Sequence, residues 1–285
     1  MLQNTAIRLN SAEKGQQRSA DETEKRDEEV NDMLDTTELY YFSPTGGTEK
    51  AGRIFGEGLA EHVTAVNLGE KKREPVPPES DLVIAAAPVF GGRIPGLVSE
   101  KLKKIDGNGK RAVTLAVYGN RAYDDALLEM NRVMEEQGFW VIASAALVAQ
   151  HSMAPEVAQG RPDDADRQEI LNFSQKVLEK LERPELKTVT VPGNYPYKEA
   201  MNMPAAPVSM SDCTRCGTCE KICPTDAIRV KDGAVANDTE KCILCMACVA
   251  ACPQKARILP PPLQEKMEQK LGALKAVRRE NEFFL

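Results

Sequence analysis

The sequence predicts an α/β protein in which a parallel sheet is covered by helices on both faces and is followed by a small, cysteine-rich α+β unit. Three observations carry this expectation. Five short apolar runs alternate with helical stretches between residues 38 and 181, all eight cysteines fall between Cys213 and Cys252, and 285 residues give room for about two domains.

The apolar runs, in chain order, are residues 39–42, 63–68, 82–90, 112–118 and 140–148. They lack the polar alternation of a half-solvated strand, so each reads as a strand buried on both faces. The stretches between them, residues 48–61, 97–105, 123–137 and 163–181, carry helical periodicity and return the chain for parallel pairing. Asp163 is placed to cap the last of these helices. Trp140 opens the fifth run and is expected in the core.

The first strand runs directly into "SPTGGT", residues 43–48, which opens the first helix. Hydroxyls from Ser43, Thr45 and Thr48 and the bare backbone of Gly46 and Gly47 can surround an anion at a helix N-terminus, where unpaired N–H groups and the dipole favour negative charge. The loop has neither the lysine of a Walker A sequence nor a G-x-G-x-x-G spacing. An ordinary strand-to-helix turn with a hydroxyl cap is the competing reading.

The cysteines form two copies of C-x-x-C-x-x-C-x-x-x-C-P, offset by 29 residues at every position: Cys213, Cys216, Cys219, Cys223, then Cys242, Cys245, Cys248, Cys252. This is the bacterial iron–sulfur spacing, whose fourth cysteine serves the other cluster. The expected ligand sets are therefore Cys213, Cys216, Cys219 and Cys252 for one 4Fe-4S cluster, and Cys242, Cys245, Cys248 and Cys223 for the other. Disulfides are a poor alternative, because no secretory signal is evident and the cysteines crowd into 40 residues. Structural zinc competes more strongly, since thiolates in fours also suit a tetrahedral ion. Between the copies, "AIRVKDGAVAND" predicts a hairpin turning at Asp232-Gly233, with Ile228 packed inward and Ile258 as its counterpart after the second copy.

Residues 209–259 resemble the two-cluster bacterial ferredoxins, and "SPTGGT" resembles the loop that holds the FMN phosphate in the flavodoxin family. Together they resemble fusions in which a flavodoxin-like domain, a doubly wound five-stranded parallel sheet of order 2-1-3-4-5, precedes a two-cluster ferredoxin domain. The resemblance implies that the flavin ring lies against the loops after the third and fourth strands. These supply Pro88, Val89, Phe90, Gly91 and Gly92, then Tyr118, Gly119, Asn120 and Tyr123, with Asn120 bonding the polar edge of the ring. The implied function is electron transfer, with FMN converting between one-electron and two-electron partners, and the implied partners are redox proteins acting as donor and acceptor. Two other readings stay open. In one the protein is an FMN-dependent reductase of a small molecule, with His151 or Arg93 facing the flavin. In the other the first domain carries no flavin and serves only for docking.

The remaining segments bound the picture. Residues 1–36 hold nine acidic against five basic side chains and few apolar ones, which predicts a solvated extension. The expected domains are then 37–182, a proline-rich connector 183–209 along the seam between them, 210–259, and a C-terminal stretch 260–285 with an amphipathic helix at 264–280. A net charge of −6 argues against a nucleic-acid surface, and no apolar run approaches the roughly 20 residues of a membrane span. A cytoplasmic location follows as the expectation.

Overall fold

The computed structural model describes residues 33–71 and 74–285, which form one compact unit. The expected extension lies outside the described residues, except that its last positions already belong to the first strand. That strand, β1, is Leu34–Tyr41; it leads into α1, Gly47–Glu57, and β2, Ala60–Asn67. There follow β3 (Leu82–Pro88), α2 (Gly96–Leu102), β4 (Arg111–Tyr118), α3 (Ala126–Glu136), β5 (Trp140–Val148) and α4 (Asp164–Leu181). The five strands are parallel and lie in the order 2-1-3-4-5.

Alternation along β1 shows how the layers form. Leu39 and Tyr41 pack with Ile54 and Phe55 of α1 and with Phe173 and Val177 of α4. Tyr40 and Phe42 point the other way, into a core shared with Val98 and Leu102 of α2 and Leu127 and Met130 of α3. β3, β4 and β5 are thus buried on both faces, as their continuous apolar composition requires, whereas β2, at the edge of the sheet, departs from that expectation and leaves Glu61, His62 and Thr64 exposed.

The sheet has a sixth member. After the cysteine-rich unit the chain returns, and Glu282–Phe284 pairs antiparallel with β5, covering that edge. Asn281 helps to set the register: its side-chain oxygen accepts from the Val148 amide at 2.9 Å. Trp140 is 53% exposed, contrary to expectation, because it stands at the first position of β5, outside the covered part of the sheet.

The cysteine-rich unit contains β6 (Val208–Ser209), α5 (Thr218–Ile222), β7 (Ile228–Lys231), β8 (Ala234–Asn237), α6 (Ala247–Ala250) and β9 (Arg257–Ile258). The strands β7 and β8 form the expected hairpin, turning through Asp232 and Gly233, both at positive φ. Backbone geometry repeats with the sequence. Left-handed residues recur at the same offset of 29: Arg215 and Leu244, Gly217 and Met246, Asp226 and Lys255.

A final helix, α7, spans Pro261–Leu271, shorter than the expected 264–280, and gives way to a 3-10 turn over Gly272–Ala276. It docks on the body through Leu263, Met267 and Leu271, which pack with Val157, Leu244 and Met246. The returning strand Glu282–Phe284 is β10 in chain order. No helix of the described residues is long and apolar enough to cross a membrane.

Candidate functional site

Parallel strands place their following loops along one edge, and the crevice between β1 and β3, where connections diverge to opposite sides, is where such sheets take ligands. A crevice opens there, lined by Thr45, Gly47 and Thr48 after β1, by Pro88, Val89, Phe90 and Gly91 after β3, and by Tyr118 and Gly119 after β4. The loop after β5 adds Gln150, His151 and Met153, and the connector adds Met201.

The first loop is built for an anion. Gly46 stands at φ 92° just before α1, a conformation that glycine adopts without strain. Ser43 caps the helix, its hydroxyl accepting from the Glu49 amide at 2.9 Å, while the amides of Gly47 and Thr48 carry no hydrogen bond among the described residues. Two unsatisfied donors at a positive helix end match a phosphate monoester. Lys50 lies nearby, with its ammonium group donating to the Pro162 carbonyl at 2.6 Å.

Three of the expected ring residues lie elsewhere. The Asn120 amide donates to the carbonyls of Leu274 and Val277 and its oxygen accepts from the Arg279 amide, so it anchors the C-terminal segment and not a ligand. Tyr123 packs edge-on against Tyr118 at 5.5 Å and donates its hydroxyl to Glu282. Gly92 faces the Asp124 side chain, outside the cavity.

His151 does line the cavity. Its Nδ1 accepts from the amides of Met153 and Ala154, both at 3.2 Å, which leaves the proton on Nε2. Burial, with a smaller contribution from the nearby Arg121 charge, lowers its pKa to about 4, so the imidazole is neutral at pH 7. Gly119 is required beside it, since a Cβ there would fall 2.4 Å from the ring. Arg93 is engaged elsewhere: it donates to both Glu129 carboxylate oxygens at 2.7 Å and stacks over Tyr197.

The connector follows α3. The amides of Asn194 and Lys198 donate to the Asp125 carboxylate at 2.8 Å, and Gly193 lies against Leu128. It then reaches the cavity at Met201 and the α7 core at Met203 and Ala205.

Two further cavities are lined by thiols. One has Cys223, Cys242, Cys245 and Cys248 on its walls; the other has Cys213, Cys216, Cys219 and Cys252. All eight cysteines are free thiols. Among the described residues no three His, Cys, Asp or Glu side chains converge on a position for a single metal ion. Each thiol set lines its own cavity. Burial pushes the Cys245 thiol up to about 12, and the neighbouring Cys248, Cys223 and Cys242 add to that rise. Sulfur also receives hydrogen bonds from the chain, as from the Ala227 amide to Cys223 at 3.3 Å.

Sequence reasoning missed two residues of this region. Leu244, between two cysteines of the second run, lines both the crevice at the sheet edge and the second-run thiol cavity. Arg257 lines both thiol cavities. Its signal was present in the repeat: adding 29 to 228 gives 257, so Arg257, and not Ile258, is the counterpart of Ile228.

Comparison with known proteins agrees with the thiol geometry. Residues 212–257 match the family described as the 4Fe-4S dicluster domain. One subunit of an ion-translocating oxidoreductase complex from Methanosarcina acetivorans is 57% identical over 44 residues, 15% of this chain and 17% of that protein. This chain therefore spans about a sixth of that relative's length. A ferredoxin-like protein from the nif region of Sinorhizobium fredii is 36% identical over 56 residues, 18% of this chain but 88% of its own length. Among solved structures, a flavodoxin from Streptococcus pneumoniae TIGR4 aligns with 51% of this chain and 99% of its own, at 17% identity and a TM-score of 0.39. The flavodoxin-like fold itself rests on the strand order. Through residues 212–257, matched to a ferredoxin-like protein over most of that protein's length, the chain belongs to the 4Fe-4S dicluster family.

Proposed function

We propose that the protein transfers electrons between FMN, held at the sheet edge, and two 4Fe-4S clusters. One cluster is ligated by Cys213, Cys216, Cys219 and Cys252, and the other by Cys223, Cys242, Cys245 and Cys248. Leu244 carries this reading, because a single residue lines the crevice at the sheet edge on one side and a thiol cavity on the other. When bound, FMN supplies a centre that exchanges electrons singly or in pairs, and a 4Fe-4S cluster one that exchanges them singly.

The chain's own residues supply position and shielding. The amides of Gly47 and Thr48 hold the phosphate, helped by the α1 dipole. Phe90, Tyr118 and Met201 form apolar walls for the ring, and the neutral His151 presents Nε2–H as a donor. At the seam Leu244 and Met246, both buried, exclude water between the centres. The Cys213 set opens outward, with Cys216 exposed, which supports exchange with a redox partner protein there. Similarity to one member of an oxidoreductase complex supports a protein partner too. A small-molecule reductase has less support, because Arg93 is tied to Glu129 and His151 is not a proton donor of near-neutral pKa.

Metal, acid-labile sulfide and flavin analysis of anaerobically purified protein, with visible spectra before and after dithionite, tests the reading. About eight iron, as much sulfide and one FMN per chain are expected. Zinc in place of iron would overturn the clusters. Full iron with no affinity for added FMN would reduce the α/β domain to a docking module.

A further inference from the structure

The two halves of the cysteine repeat differ at one buried position. Ile228, after the first run, is 4% exposed, and its counterpart 29 residues on, Arg257, is 2% exposed. An apolar side chain has thus been exchanged for a permanent positive charge. Burying an unpaired charge is costly, and native proteins meet such a cost with a counter-ion.

No carboxylate meets Arg257 among the described residues. Its terminal nitrogens donate to Ser209 Oγ at 3.0 Å, to Asn237 Oδ1 at 2.7 Å and, more distantly, to Cys248 Sγ at 3.8 Å. Nε–H has no partner and is the one buried side-chain polar atom so left among the described residues. The guanidinium lines both thiol cavities.

We propose that Arg257 is the shared counter-charge of the two clusters: it makes the reduced state of each more accessible and offers its free Nε–H to sulfur. This rests on the two-cluster reading above. Reduction adds one electron to each cluster, drawn from dithionite in the test; no bond is made or broken, and the guanidinium keeps its proton throughout. Ile228 supplies no such charge, so one residue serves both halves.

The test compares holoprotein with Arg257→Gln and Arg257→Lys by iron and sulfide content and by redox titration followed with electron paramagnetic resonance. With about eight iron retained, Arg257→Gln is expected to make reduction of both clusters roughly tenfold less favourable, a fall of ~59 mV for a one-electron couple. Arg257→Lys, which keeps the charge, should stay near the wild type. Unmoved potentials in a fully loaded Arg257→Gln protein would overturn the proposal. Should that variant assemble poorly, wild-type protein carrying guanidino-15N arginine decides the matter. Pulsed resonance of the reduced clusters should show a nitrogen coupling that Arg257→Lys loses, and its absence from the wild type would overturn the proposal. Iron well below eight in the wild type would instead remove the two-cluster reading itself.

Discussion

Cys223 stands in the first cysteine run by sequence and beside the second run in space, sharing a cavity with Cys242, Cys245 and Cys248. Iron counting can establish whether it also ligates there. Cys223→Ser combined with Cys245→Ser should remove a single cluster and leave about four iron, whereas Cys223→Ser with Cys216→Ser should leave almost none. The reverse pattern would mean that each run binds its own cluster. His151 allows a second prediction at this scale. Its folded pKa of about 4 lies below the ordinary histidine value, so the unfolded chain binds more protons between the two. The stability from this group is full above about pH 6.5 and declines as pH falls toward 4, by about 3 kcal/mol in all. In protein carrying 13C-histidine, the ring signal lost in His151→Gln should keep its neutral shift down to about pH 5; titration near 6.5 would contradict the buried setting. Within each run the first three cysteines share one short loop and one cavity, which spacing alone could suggest, whereas Cys223 and Cys252 reach the other run's cavity only through the fold. Asn120 and Tyr123 were misread because their partners, Leu274 to Glu282, lie more than 150 residues away in a segment no local pattern links to them.

Among the elements, the five parallel strands and four helices were legible because each carries its own periodicity. Only their ends shifted, as with β2, which begins at Ala60 and not at residue 63. β10 was not legible: three residues are too short for a period, and their placement depends on an edge formed far earlier in the chain. What holds that return segment is a polar cluster at the start of α4. Asp163 and Asp166 form a capping box, and Asp166, fully buried, pairs with Arg161 and accepts from Asn281 Nδ2 at 2.9 Å. Arg161 in turn donates to the Arg279 carbonyl and borders a second cavity shared with Thr45, Gly46 and Gly47. Removing the carboxylate strands the buried guanidinium. Asp166→Ala should therefore cost about 3–5 kcal/mol in denaturant unfolding, and Asp166→Asn, which keeps the shape and some hydrogen bonds, less. Equal, small losses in both would mean that solvent reaches Arg161.

For the whole molecule, sequence showed two kinds of unit but not how they meet. The meeting depends on Leu244, Met201 and Met246, apolar residues with no individual signature, which become informative only when folding brings three distant segments to one sheet edge. The expected order, one domain and then the other, also misses how the chain is threaded. Because β10 rejoins β5 after the cysteine-rich unit is complete, that unit is spliced into the α/β domain and is not appended to it. During synthesis, then, the sheet waits with an open edge until the whole metal-binding segment has left the ribosome. Residues 282–284, made after that segment, are those that cover the β5 edge.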